Sequence, residues 1–180
     1  MTGTVDHVEV LANALDQTHT VIARIDPDQR SATTPCRSWD VSTLVGHLLT
    51  DVEQFTAGTR GEDVDYGAGP ASIDPDRWAD EFGSRASDLV AAWRKAGAGP
   101  AIDMQIAELA VHAWDLASAT DEQVSLDPML AEVGLAWMRG MLKDEHRGSE
   151  ADGKSFGPEV DVADDAPAYE RLAAFAGRRP

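Results

Sequence analysis

The sequence is poor in cysteine, in positive charge and in long apolar runs. Its one cysteine, Cys36, excludes an internal disulfide framework and fits a reducing compartment. No apolar stretch nears the ~20 residues that a bilayer-spanning helix needs. The opening residues, Met1-Thr2-Gly3-Thr4-Val5-Asp6, have neither the basic start nor the apolar core of a signal peptide, so a cytoplasmic protein is expected. Lysine and arginine total 15 against 32 aspartates and glutamates, which leaves a net charge of −17 and a pI near 4.4. Such a chain repels phosphate backbones and anionic lipid surfaces, so neither nucleic acid nor membrane is an expected partner. Internal repeats, low-complexity tracts and the period-two alternation of half-buried strands are also missing.

What remains is helical. The 180 residues suit one domain, spanning 1–180, with a full core. Val8, Leu11, Leu15, Thr18, Ile22 and Ile25 recur at spacings of three and four, which predicts a helix over roughly 5–25. After a loop over 28–38, Trp39-Asp40-Val41 starts a second helix running to about Gly58. Asp40 is its N-cap, and Trp39 and Leu44 occupy the two positions of a hydrophobic staple. Asp74-Pro75 and Asp127-Pro128 are two further starts, with aspartate capping and proline at the first helical position. Between them lies a helix over about 102–119, and a short one covers 166–176. The fold class expected is all-α: a four-helix bundle of long helices with a short extra C-terminal helix.

The helix over 102–119 carries the chemistry. Glu108 and His112 are four residues apart, so their side chains lie one above the other. Met104, Ile106, Leu109, Val111, Trp114 and Leu116 make the same helix apolar nearly all round, which predicts burial. An unpaired carboxylate in such a place is very costly. A metal ion completed by a histidine from another helix satisfies it, and so does a plain hydrogen bond to His112. His47 is the histidine chosen, although it sits on the flank of its helix in line with Thr43, Asp51 and Gln54, where a solvated imidazole is the simpler reading. His19 ranks below it as a ligand. His7 and His146 read as surface imidazoles. Asp115, three residues after His112, is an acceptor that orients the ring, an additional carboxylate of the site, or the partner of a neighbouring arginine. Cys36 is either a thiol activated by the adjacent Arg37 or a small packing residue.

Two stretches resemble a known family. Pro35-Cys36-Arg37-Ser38-Trp39-Asp40-Val41, followed by Leu44 and His47, is similar to the P-C-x-x-W-x-V-x-x-L-x-x-H stretch of DinB-like proteins from actinobacteria. Glu108-Leu109-Ala110-Val111-His112-Ala113-Trp114-Asp115-Leu116-Ala117 resembles their E-x-x-x-H-x-W-D-L-A stretch, and the ending Leu172 to Pro180 is similar as well. The group includes the metal-binding domain of mycothiol-dependent maleylpyruvate isomerase. The resemblance implies a DinB/YfiT-like four-helix bundle with a divalent metal held by His47, Glu108 and His112. Many relatives in the wider superfamily use three histidines, so Glu108 marks the mycothiol-type branch. Residues 148–180 are too few for the isomerase's further C-terminal domain.

Two histidines and a carboxylate leave open coordination positions, unlike a structural zinc closed by four protein ligands. Zinc is the first choice, with nickel, iron and manganese compatible with the same donors. The expectation is a metal-dependent transferase or isomerase that uses a small-molecule thiol, mycothiol by resemblance, against an electrophilic substrate; metal-activated water is a variant. The alternatives are a non-catalytic metal-binding or stress-linked bundle acting as a homodimer, and a bundle in which Glu108 and His112 are merely hydrogen-bonded.

Overall fold

The computed structural model describes residues 6–36, 39–65, 67–120, 124–149, 154 and 156–180. Its α-helices are α1 (His7–Ala23), α2 (Val41–Arg60), α3 (Trp78–Ala96), α4 (Ile102–Thr120), α5 (Pro128–Met141) and α6 (Ala168–Phe175). Among the described residues there is no strand, only isolated bridges between Thr33 and Asp40 and between Arg147 and Phe156. The chain is therefore all-helical, and no described helix is long and apolar enough to cross a membrane.

The helix starts follow the local chemistry of the sequence. Asp6 Oδ1 accepts from the amides of Val8 and Glu9, Asp40 Oδ1 from Thr43, and Asp127 Oδ1 from Met129, each satisfying an amide that the first turn leaves without a helical partner. Asp74 behaves differently from the expectation. It caps a 3-10 turn, Pro75–Arg77, and α3 itself begins only at Trp78. Helix α2 runs past Gly58 to Arg60 and ends where Gly61 turns to a φ of 74°.

Helix α4 is the centre of the packing. It lies against α1 and α2 on one side and against α5 and α6 on the other, while α3 packs on α1 and α2. Two apolar clusters result. The larger gathers Leu11, Leu44, Leu48, Phe82, Leu89, Ile106 and their neighbours; the smaller joins Ala107, Ala110 and Val111 of α4 to Leu135, Met138 and Leu172. A helix covered on two opposite sides must be apolar on both, which is why α4 shows no single stripe. The expectation of four long helices plus one short one undercounts by one, because α5 is a fifth long helix, packed against α4 together with the short α6.

Helix α2 also carries a close crossing. The segment before Asp74 runs over it at Gly46, whose carbonyl accepts from the Ala71 amide at 3.0 Å. A Cβ built on Gly46 falls 2.4 Å from the Ala71 oxygen. Helix propensity alone makes alanine at this position better by about 0.8–1.0 kcal/mol. The crossing reverses the sign, since the obstacle is backbone, and Gly46→Ala is expected to lower stability by about 1–3 kcal/mol. Urea unfolding checks it: the midpoint should fall with an unchanged slope.

Candidate metal centre

Across the seam between α2 and α4, His47 meets the pair Glu108 and His112. Glu108 Oε1 lies 3.2 Å from His47 Nε2 and 3.0 Å from His112 Nε2. One donor atom from each of the three residues falls within 4.8 Å of the other two. A tetrahedral ion with bonds of about 2.0–2.1 Å separates neighbouring ligand atoms by about 3.3 Å, so the spacing suits one small cation. The imidazole rings stand nearly perpendicular, 85° apart, with centroids 5.1 Å from each other. Helical spacing delivers the Glu108–His112 half of this arrangement, and the lateral contact of α2 delivers the rest. The flank position of His47 is the side that faces α4.

Around these three stand residues that orient them. Asp115 Oδ2 lies 3.0 Å from His112 Nδ1, so that a ring holding its proton on Nδ1 directs the Nε2 lone pair toward Glu108 and His47. The same Asp115 accepts from Arg178 Nη2 at 3.1 Å and Nε at 3.3 Å. Asp115 thus contacts the His112 ring and an arginine at once, the arginine being distant in sequence rather than neighbouring. Asp51 Oδ2 is 3.0 Å from His47 Nε2, one helical turn along α2. The Trp39 ring covers the histidines, 4.4 Å from the His47 centroid and 6.1 Å from that of His112. Burial is uneven: Asp115 is fully enclosed and His112 nearly so, whereas the Glu108 side chain keeps 27% of its exposure. The site therefore has a closed floor and a partly open face. Glu108 is less buried than its apolar surroundings in sequence suggest.

The electrostatics favour positive charge. Burial opposes the charged form of His112, but the Glu108 carboxylate and the hydrogen bonds to Asp115 and Glu108 outweigh it and push its pKa up to about 9. Burial likewise opposes a charged His47, and hydrogen bonds to Asp51 and Glu108 raise its pKa above the usual value. Glu108 would be pushed up by burial, yet the His112 charge and the two imidazole hydrogen bonds hold it well below the usual carboxylate range. Asp51 goes the other way: burial raises it, against the pull of His47.

Cys36 contributes a donor atom within the same reach of His112 and Asp115, which makes a second possible grouping. Arg178 already places its cationic group against both oxygens of Asp115, so a second metal ion there has no room in the charge balance. Arg37, the neighbour expected to favour a Cys36 thiolate, lies outside the described residues. The remaining histidines stay apart from the centre. His7 Nδ1 pairs with Asp103 Oδ1 at 2.6 Å rather than standing alone in solvent. His19 sits against Gly83 of α3, and His146 Nδ1 accepts from the Lys143 amide. Sequence reasoning missed Asp51, Trp39 and Arg178 as neighbours of the site. Asp51 was open to the same four-residue rule that found Glu108 and His112.

Comparison with known proteins finds uncharacterised relatives and is silent on chemistry. The chain is 28% identical to "Uncharacterized protein Rv0738" of Mycobacterium tuberculosis (strain ATCC 25618 / H37Rv), over 92% of this chain and 93% of that protein. The same figures hold for "Uncharacterized protein MT0763" of the CDC 1551 / Oshkosh strain. No family model matches the chain, and no solved structure matches it.

A proton on His112 Nε2 and a metal ion there exclude each other. With the folded pKa near 9, zinc entering at pH 7.5 must expel that proton, and apparent affinity should rise about tenfold per pH unit for each proton displaced. Calorimetry in buffers of different ionisation enthalpy should report release of at least about one proton per zinc. In the metal-free protein the sign reverses. The raised pKa contributes stability that is complete below the ordinary 6.5 and is lost as pH climbs through about 9. Thermal unfolding with and without zinc across that window measures both slopes.

Proposed function

We propose that the chain is a DinB-like four-helix bundle, built from α1, α2, α3 and α4 with α5 and α6 added, and that it binds one divalent metal through His47, Glu108 and His112. The carrying observation is the position of Glu108 Oε1 between the two Nε2 atoms, at 3.2 and 3.0 Å. The two motif stretches of the sequence support it, since each supplies one side of the same cluster. Zinc is the ion these donors favour, and nickel, iron or manganese are compatible with them.

The reaction that fits best is transfer or isomerisation driven by a small-molecule thiol, of mycothiol type, acting on an electrophilic substrate. When bound, the metal supplies Lewis acidity, lowering the pKa of a coordinated thiol or water and polarising a carbonyl. The chain's own residues do the rest. Asp115 keeps the His112 ring turned. Trp39 shields the imidazoles from one side and gives an incoming ligand an apolar wall. Asp51, at the partly open face and raised in pKa by burial, holds Oδ2 where it can accept a proton from an incoming thiol or water.

Elemental analysis of the purified protein is the first test. About one equivalent of metal is expected, and His112→Ala, His47→Ala or Glu108→Gln should each cut affinity by more than the ~10–100-fold typical of losing an outer partner of a ligand. Full metal stoichiometry in the His112→Ala variant would falsify the site. A metal-loaded protein that leaves mycothiol untouched across a panel of electrophiles points to a non-catalytic bundle instead. If thiol is consumed, Asp51→Asn should keep its metal and lose about 10²–10⁴-fold in turnover, read from the rate of thiol loss.

A further inference from the structure

Arg178 is nearly buried, at 7% exposure, and lies 63 positions along the chain from the aspartate it binds. Several contacts aim it there. The Gly177 and Arg178 amides donate to the Ala174 and Ala173 carbonyls, closing the end of α6. Gly177 takes a φ of 82°, a conformation that side chains disfavour, and a Cβ on it would fall 2.7 Å from the Gly157 backbone. Arg147 fastens the same corner, with Nη1 donating to the Gly157 and Phe175 carbonyls and its guanidinium 4.6 Å from the Phe175 ring. From this fixed turn the Arg178 side chain reaches α4, gives Nη1 to the Ala176 carbonyl and both other nitrogens to Asp115.

We infer that Arg178 is a positioning residue of the metal centre. By holding both oxygens of Asp115 it fixes the acceptor for His112 Nδ1, and so ties the docking of the segment after α6 to metal binding on the other side of α4. The inference rests on the metal reading given above. It follows from the geometry of the chain Arg178–Asp115–His112. A fully enclosed aspartate has only its partners to set its orientation, and a guanidinium grips a carboxylate in one plane where an ammonium does not. Binding linkage is reciprocal, so whatever factor the docked arginine adds to metal affinity, the metal returns to docking.

The test uses the wild type, Arg178→Lys, and the double variant Asp115→Asn with Arg178→Gln. The double variant leaves no buried unpaired charge and guards against simple misfolding. Zinc affinity is measured on the full chain by competition with a chromophoric chelator at fixed pH. The double variant should bind zinc about 10–100-fold more weakly, and Arg178→Lys should fall between it and the wild type. Long-range proton–nitrogen spectra of the zinc-loaded proteins give a readout that a merely structural ion pair would not move. A single Nε2-bound His112 is expected in the wild type and a mixture of Nε2- and Nδ1-bound rings in the double variant. Zinc should also slow hydrogen exchange at the Gly177 and Arg178 amides of the wild type. Equal zinc affinity in all three proteins, with one ring species throughout, overturns this inference and leaves the metal site standing. A wild type that takes up neither zinc nor nickel, iron or manganese overturns both.

Discussion

A carboxylate set in the middle of a helix that is covered on two sides constrains everything around it. Glu108 shares one face of α4 with Gln105, His112 and Asp115, and none of these groups can be enclosed without a partner. Three of the four find one on a different element, and His112 is held by Glu108 and Asp115 of its own helix. Gln105 Oε1 accepts from Trp93 of α3, Glu108 meets His47 of α2, and Asp115 meets Arg178 beyond α6. Rotating α4 about its axis would break all three at once. Stranding one member of a buried ion pair costs about 3–5 kcal/mol, whereas enclosing one leucine contributes about 1.5–3 kcal/mol. Apolar packing alone would let a helix with two apolar sides settle in several rotations. The polar face selects among them.

The same groups form a device for holding positive charge. Three carboxylates, Asp51, Glu108 and Asp115, crowd two imidazoles and one guanidinium. In the metal-free protein the balance is made by protons, which is why both histidines resist losing them. A dication placed at the two Nε2 atoms would replace those protons with little change in total charge. A raised imidazole pKa is therefore a measure of affinity for positive charge of either kind. The argument for a metal rests on something else: three donor atoms from two helices meet at a spacing that one ion can bridge.

What the sequence makes legible follows from the range of each interaction. Caps at Asp40 and Asp127 and the Glu108–His112 pair depend on residues three or four apart, and local spacing reveals them. His47 is harder to read because a residue at the seam between two helices falls on the flank of the apolar stripe, where solvated residues also fall. The Glu108–His112 pair on a later helix, together with the motif resemblance, singled it out. Arg178 has no local signature at all. Its partner is 63 residues away, and the turn that aims it depends on Gly157 packing against Gly177, a contact that no periodicity encodes. Helix α5 was visible as a pattern, but not its role as the second wall of α4, because a helix that is apolar all round does not say how many neighbours it has.

The placement of the site also has a physical logic. Helices α2 and α4 touch over a shorter stretch than the pairs α1–α4, α2–α3 and α1–α3. His47 and Glu108 thus stand where two neighbouring helices touch over a short stretch. Leucines in place of His47 and Glu108 would fill that seam with apolar packing, at the expense of its partly open face. Natural cores seldom leave a seam to polar groups unless those groups have work to do, since exchanging a buried ionic cluster for packed hydrophobes is often neutral or stabilising. A thinly packed seam with a rigid floor, formed by Asp115 and Arg178, and a partly open face beside Asp51 gives a ligand both access and a fixed set of donors to meet. A bound ion would in turn join two helices that touch over only a short stretch.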